Sequence, residues 1–264
     1  MDPQPTDGFV WVQEPWGRAL RCSSLPAPHL FTSRDVELRD DPSEWDAVAA
    51  SLGVPRARLL LIRQVHGTGV AVVQRGQSTA GSAVGHRPEA DIIISDDPAV
   101  AIGVRVADCV PLLAFDTRTG AVGAAHAGWR GTAAGAAYRA VSALQEHFGS
   151  DPRDLIVAIG PALGPCCAEV GGDVVDAFRT AGTDDQSMAR WFAQAGTDGK
   201  AIVDLWRANR EQVERAGVRP DAVFVAELCT KTHGERFHSY RAHRERAGRL
   251  LAAIRGAELS SASS

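Results

Sequence analysis

Between Leu59 and Ile159 the chain carries a succession of short apolar runs, each closed by turn-forming residues, and this rhythm constrains the fold more than any other feature. Leu59-Leu60-Leu61-Ile62 and Gly69-Val70-Ala71-Val72-Val73 are too short for helices and rich in aliphatic residues, which predicts strands. Asp91 to Ser95, Ala99 to Val106, Pro111 to Phe115 and the small-residue run Ala121 to His126 continue the series. Thr79 to Pro88 reads as a Gly/Ser/Ala-rich loop and Asp96-Asp97-Pro98 as a turn. Leu155 to Ile159 and Ala222 to Leu228 have the composition of buried strands. Helical spacing is rarer. Thr132 is placed to cap a helix through Phe148, with Ala133, Ala137, Val141, Leu144 and Phe148 along one stripe and Gly149 as its stop. Further helices are expected over Gly172 to Thr180, Asp204 to Ala216 and, as a last basic helix, Arg244 to Ile254. Many strands with few interleaved helices predict an α+β fold, a mixed sheet layered with helices, rather than a doubly wound parallel sheet.

At 264 residues and 45% hydrophobic content, the chain can bury a sizeable core in one large domain or two tightly joined halves. We expect an N-terminal segment over residues 1–20, a single domain over 21–256, and a disordered Ser-rich tail over 257–264. The formal charge of −4 and the lack of a dense basic block before the C-terminal arginines argue against nucleic acid as a partner, while small anions need only one or two arginines. No signal peptide and no apolar run of roughly 20 residues is visible, so neither export nor a membrane is expected. Five cysteines at irregular spacing, two of them adjacent at Cys166-Cys167, suit a reducing compartment, and the expected location is cytoplasmic.

Three metal-capable side chains fall at expected strand ends. They are His66 in Gln64-Val65-His66-Gly67, Cys109 in Ala107-Asp108-Cys109-Val110-Pro111, and His126 in His126-Ala127-Gly128-Trp129-Arg130-Gly131. Two imidazoles and a thiolate suit Zn²⁺ and leave a fourth position open, the stoichiometry of a catalytic site. Each residue alone is as well explained by core packing or a turn, and no short-range spacing joins them.

In order along the chain, those three segments are followed by Gly160-Pro161 through Cys166-Cys167, Glu169-Val170-Gly171, Cys229-Thr230 and Phe237-His238-Ser239-Tyr240-Arg241. This set resembles the laccase-domain, or multicopper polyphenol oxidoreductase, family, also called the peptidoglycan editing factor or purine nucleoside phosphorylase family. The likeness covers roughly Pro28 to Arg249, and the His-Ala-Gly-Trp-Arg-Gly block is its most specific part. It implies an α/β/α sandwich similar to the cytotoxic necrotizing factor catalytic domains, and one zinc per chain on His66, Cys109 and His126, which would also be the catalytic residues. It implies phosphorolysis of adenosine, inosine and methylthioadenosine, and deamination of adenosine. The partners would then be a nucleoside and phosphate; the oligomeric state stays open. The chain departs from the family pattern after Phe31-Thr32-Ser33-Arg34, which passes directly to Asp35, and at Val106 and Ala168, where the family usually has Thr and an aromatic residue.

The resemblance implies that Cys229 and Thr230 line the same pocket, with Gln64 a further substrate contact, and phosphate contacts are expected from Arg34, Arg130 and Arg241, each of which adjoins a matching motif, since arginine is the natural phosphate clamp. Asp108 either orients a ligand, serves as a base or caps its turn. A second reading makes Cys109 a nucleophile activated by His126, giving an amidohydrolase; cytosolic peptidoglycan precursors such as UDP-MurNAc-L-Ser are then the substrates, and zinc could serve that hydrolysis equally. Copper-dependent phenol oxidation ranks last, because one His-Cys-His set offers far fewer ligands than a multicopper cluster needs. A non-catalytic domain that keeps zinc for stability is the remaining alternative.

Overall fold

Alternation of apolar side chains along the strands creates two packed sheets. The structure is a computed structural model that describes residues 2–39, 41–76, 87–195 and 199–258. The first sheet joins β1 (Phe9–Glu14), β2 (Gly17–Cys22), β3 (His29–Thr32), β4 (Leu59–Leu61), β7 (Ala101–Val106) and β15 (Leu250–Arg255) in the order β1-β2-β3-β15-β7-β4. Only β4 and β7 are parallel. The second sheet joins β5 (Val70–Val73), β6 (Ile92–Ser95), β8 (Val110–Asp116), β9 (Val122–Ala127), β10 (Leu155–Ile159) and β14 (Val223–Val225) in the order β14-β10-β8-β9-β6-β5, with its outer pairs parallel and its inner pairs antiparallel. A small third sheet is built from β11 (Glu169–Val170), β12 (Phe192–Ala195) and β13 (Lys200–Val203).

The two large sheets lie face to face. Ile93, Leu113, Phe115 and Val122 of the second meet Leu20, Phe31, Ile102, Val104 and Ile254 of the first. Ile92, Ile94, Leu112 and Ala125, one position out of phase, face instead the helices α3 (Ala136–Phe148) and α6 (Leu205–Arg215). On the far side α1 (Pro42–Ser51) presses Trp45 and Val48 onto Leu30, Leu59, Leu251 and Ala253. The expected mixed-sheet layering is present, with a pair of sheets where the α/β/α reading placed one.

Other expectations are corrected. Arg244 to Ile254 is not a helix: Leu250, Ala252 and Ile254 pack between the sheets while Leu251 and Ala253 pack under α1, so a segment of good helix formers becomes a central strand buried on both faces. Thr132 is not an N-cap but lies inside the short α2 (Trp129–Ala133), whose N-cap is Gly128. Gly135, at φ +82°, breaks the stripe before α3, and the buried Thr132 accepts a hydrogen bond from Asn209 at 3.0 Å. The hairpin β1–β2 crosses the boundary expected at residue 20 and docks residues 9–22 into the first sheet. The loop reading of Thr79 to Pro88, save Arg87 and Pro88, and the tail from residue 259 onward lie outside the described residues. Helices at α4 (Gly172–Thr180) and α6 fall as expected, Asp204 capping the latter. No helix among the described residues is long and apolar enough to cross a membrane.

Candidate metal centre and its cavity

Two turns and the end of β9 bring His66, Cys109 and His126 together, their ligand atoms all within 4.8 Å of one another. The two rings meet edge to face, with centroids 4.8 Å apart. His66 sits at φ +62° and Asp108, before Cys109, at φ +87°. Non-glycine residues adopt this region only when surroundings hold them there.

Asp91 supplies that hold for the first turn. Its carboxylate, fully buried, accepts the backbone N–H groups of Val65 at 3.2 Å, His66 at 2.9 Å and Gly67 at 2.6 Å. The same carboxylate accepts His126 Nδ1–H at 2.8 Å, which turns Nε2 toward the cluster. Asp108 is held by Leu163 N–H on its carbonyl at 2.8 Å, and by the Thr230 hydroxyl at 2.6 Å and Arg241 N–H on its carboxylate. Both side-chain oxygens are therefore occupied, and Asp108 positions the Cys109 turn. Gly128 completes the arrangement: a Cβ there would stand 2.9 Å from Cys109 Sγ and 3.1 Å from His66 Cδ2.

Burial opposes charge at Cys109, yet hydrogen bonds to His126 and His66 bring its thiol down to about 7. Burial likewise opposes protonation of His126, and its hydrogen bonds to Asp91 and Cys109 outweigh that, raising it to about 9. Asp91, despite burial, is held below the usual carboxylate range by His126 and the Gly67 N–H. Without a metal these contacts favour a thiolate at Cys109 and a protonated ring at His126, backed by a carboxylate.

The cluster lines a cavity of about 1280 Å³ together with Gln64, Trp129, Leu163, Tyr240 and five arginines: Arg63, Arg87, Arg105, Arg241 and Arg249. Arg63 is ion-paired with Glu89. Arg105 is different. Burial, then the nearby guanidinium groups of Arg87 and Arg249, lower its pKa, and among the described residues no carboxylate lies within ion-pair distance of Arg105 or Arg87. Such a cationic wall has the charge to suit an anion.

The expected substrate residues divide. Gln64 lines the cavity, but its amide is spent on the backbone of Arg105, at 2.7 and 2.8 Å. Arg241 also lines it, with its guanidinium donating to the carbonyls of Cys167 and Glu169. Arg130 lies outside the lining and stacks on Trp129, 4.1 Å from the ring centroid. Arg34 also lies outside it and donates to the Gly234 carbonyl. Cys229 and Thr230 are buried behind Asp108 rather than exposed to the cavity. Asp91, Arg105, Arg87 and Arg249 went unmarked in the sequence. An acid heading an apolar strand was the available signal for Asp91; the arginines carried none, because their convergence depends on the packing of β7 against Gln64.

Comparison with known proteins shows the family. A family model described as multi-copper polyphenol oxidoreductase laccase matches residues 37–256. The chain is 38% identical over 217 residues to "Purine nucleoside phosphorylase YlmD" of Geobacillus stearothermophilus, covering 80% of this chain and 75% of that one. It is 31% identical over 215 residues to "Adenosine deaminase RL5" from an unknown prokaryotic organism, covering 78% of each. The crystal structure of Bacillus licheniformis hypothetical protein YfiH superposes with a TM-score of 0.84 at 26% identity, over 96% of this chain and 100% of that chain.

Proposed function

The chain belongs to the multi-copper polyphenol oxidoreductase laccase family, and from that premise we propose that it is a zinc-dependent purine nucleoside phosphorylase with a secondary adenosine deaminase activity. Relatives named for nucleoside phosphorolysis and adenosine deamination support nucleoside processing at the level of the family. The observation that carries the finer reading is the convergence of His66, Cys109 and His126 in one cavity beside Arg105 and Arg87, which have no carboxylate within ion-pair distance among the described residues. The donor set fits zinc: two imidazoles and a thiol converge, Asp91 fixes the tautomer of one imidazole, and the missing side chain of Gly128 leaves room beside the other two donors. Zinc held there supplies a Lewis acid and lowers the pKa of water to about 7, chemistry that serves attack at a purine carbon and polarisation of a nucleoside alike.

The chain's own residues do the positioning. Arg105, with Arg87 and Arg249, holds inorganic phosphate as an oxygen nucleophile toward C1′ of the ribose. The new bond forms between that oxygen and C1′ while the C1′–N9 bond breaks, and the electron pair leaves with the purine. Adenosine, inosine and methylthioadenosine share this ribosyl–purine bond and are the proposed substrates. The apolar side chains of Leu163, Val170, Val203 and Leu205 line the same cavity and exclude water from the base.

Product analysis with inosine and phosphate, and with adenosine, tests the reading. Arg105→Gln is expected to weaken phosphorolysis by roughly 30–150-fold, the value of one charge-assisted contact, and to reduce deamination much less. Arg130→Gln should leave both near wild type, because its guanidinium is committed to Trp129. Equal loss of the two activities in Arg105→Gln, or no phosphorolysis by the zinc-loaded wild type, would end this assignment.

A second reading rests on the same line of atoms. Cys109, His126 and Asp91 stand in the order of a nucleophile, its base and the group that orients the base. Amide hydrolysis of a peptidoglycan precursor would then survive chelation of the metal, whereas the zinc-dependent activities would not. Copper-dependent oxidation of phenols is supported only by the family's descriptive name.

A further inference from the structure

A second thiol cluster lies outside the cavity lining, and the functions above do not use it. Cys166, Cys167 and Cys229 bring their sulfur atoms within 4.8 Å of one another. They come from two segments that the fold pins together. Cys167 N–H closes a turn on the Gly164 carbonyl at 2.9 Å, Thr230 N–H donates to Ala162 at 3.0 Å, and Ala162 and Cys229 form a parallel bridge. Adjacent cysteines ordinarily point apart. Here the turn aims both side chains the same way, their sulfurs 3.7 Å apart, with Thr232 Oγ1 at 3.4 Å from one and 3.5 Å from the other.

Three observations separate this cluster from buried thiols that merely pack. First, the 3.7 Å separation is close to the edge of about 3.8 Å that a tetrahedral ion imposes on sulfurs bound at about 2.3 Å. Second, the Cys229 sulfur is met by the Thr232 hydroxyl and by the backbone N–H groups of Thr232 and Gly164, donors that a thiolate requires and a packing thiol does not. Third, Cys166 is exposed, so the corner opens to solvent on one side.

The geometry points to a second metal site, in which Cys166, Cys167 and Cys229 hold a thiophilic divalent cation of the zinc class through three thiolates, leaving a fourth position beside Thr232. Binding releases the thiol protons to solvent and needs no oxidant. Arg241 donates to the Cys167 carbonyl at 3.1 Å. Asp108 connects the two centres, because it accepts both from Thr230, next to Cys229, and from the Arg241 N–H.

Cd(II) titration of the reduced, metal-free full-length protein, followed by near-ultraviolet thiolate-to-metal charge transfer, tests this directly. Wild type should take two equivalents. Cys109→Ser should lose the weaker, single-thiolate contribution and keep the stronger one. Cys229→Ser and, at the exposed position, Cys166→Ser should weaken the three-thiolate site by roughly 100-fold or more while keeping the Cys109 contribution. One equivalent in wild type, or charge transfer indifferent to both Cys166→Ser and Cys229→Ser, would overturn the proposal. Because Cys109→Ser reports on the first centre alone, failure of the second site leaves the nucleoside assignment unaffected, and failure of that assignment leaves this titration interpretable.

Discussion

His29, in the first sheet, and His126, in the second, are almost equally hidden at 4% and 3% exposure, yet their environments drive them in opposite directions. Burial, only partly offset by the Ala27 carbonyl, lowers His29 to about 4; its Nε2 accepts the Cys22 N–H at 2.9 Å and its other nitrogen meets Ala27 O at 2.7 Å, so the neutral ring is fully satisfied. His126 meets a carboxylate and a thiol instead, and those contacts outweigh burial and raise it to about 9. The difference teaches that depth alone does not decide a buried imidazole's charge. Its partners do, and the second sheet has placed ionisable ones at its end while the first has used only backbone groups.

The sharpest test replaces the thiol. Cys109→Ala should cut nucleoside turnover by on the order of 10³-fold or more while the thermal midpoint moves little, because the residue sits in a turn beyond the strands; global unfolding of the variant would make the centre structural. The next test concerns His29. Its folded pKa lies below the unfolded value of about 6.5, so the stability it contributes is complete above that value and is lost as pH falls toward 4, at most about 3 kcal/mol. Urea unfolding of the metal-free protein should show this loss between pH 6.5 and 4, and His29→Gln should flatten it. An unchanged acid slope in the variant would refute the assignment. On the alkaline side the second sheet behaves differently. Between about pH 7 and 9 the folded state keeps the His126 proton that the unfolded chain has lost, and has already lost the Cys109 proton that the unfolded chain keeps. The two linkages oppose each other, so stability there should stay nearly flat. Asp91→Asn should weaken zinc binding by roughly 10–100-fold, read by competition with a chromophoric chelator; wild-type affinity would reduce Asp91 to a backbone support.

Legibility in the sequence followed how local each determinant was. His66, Cys109 and His126 could be placed at strand ends because their turns carry Gly, Asp or Pro beside short apolar runs. β15 could not, since Leu, Ala and Arg favour a helix locally and only the flanking strands β3 and β7 reverse that preference. The break at Gly135 was hidden inside an otherwise regular stripe, and the hairpin at residues 9–22 inside a polar N-terminus. Arg130 stood beside the right motif and Arg105 did not, yet Arg105 faces the cavity and Arg130 stacks on its neighbour. Motif adjacency reports chain distance. A binding surface depends on which face of each strand reaches the opening.

The Asp91 carboxylate also dictates an order of assembly. It ties together groups 25 and 35 residues apart in the chain, and its carbonyl accepts the His126 N–H at 2.8 Å as β6 pairs with β9. Neither imidazole can be aimed until that pairing has formed. An unfinished chain therefore offers a passing ion only scattered imidazoles, and a metal held by them would be held only after the second sheet has closed.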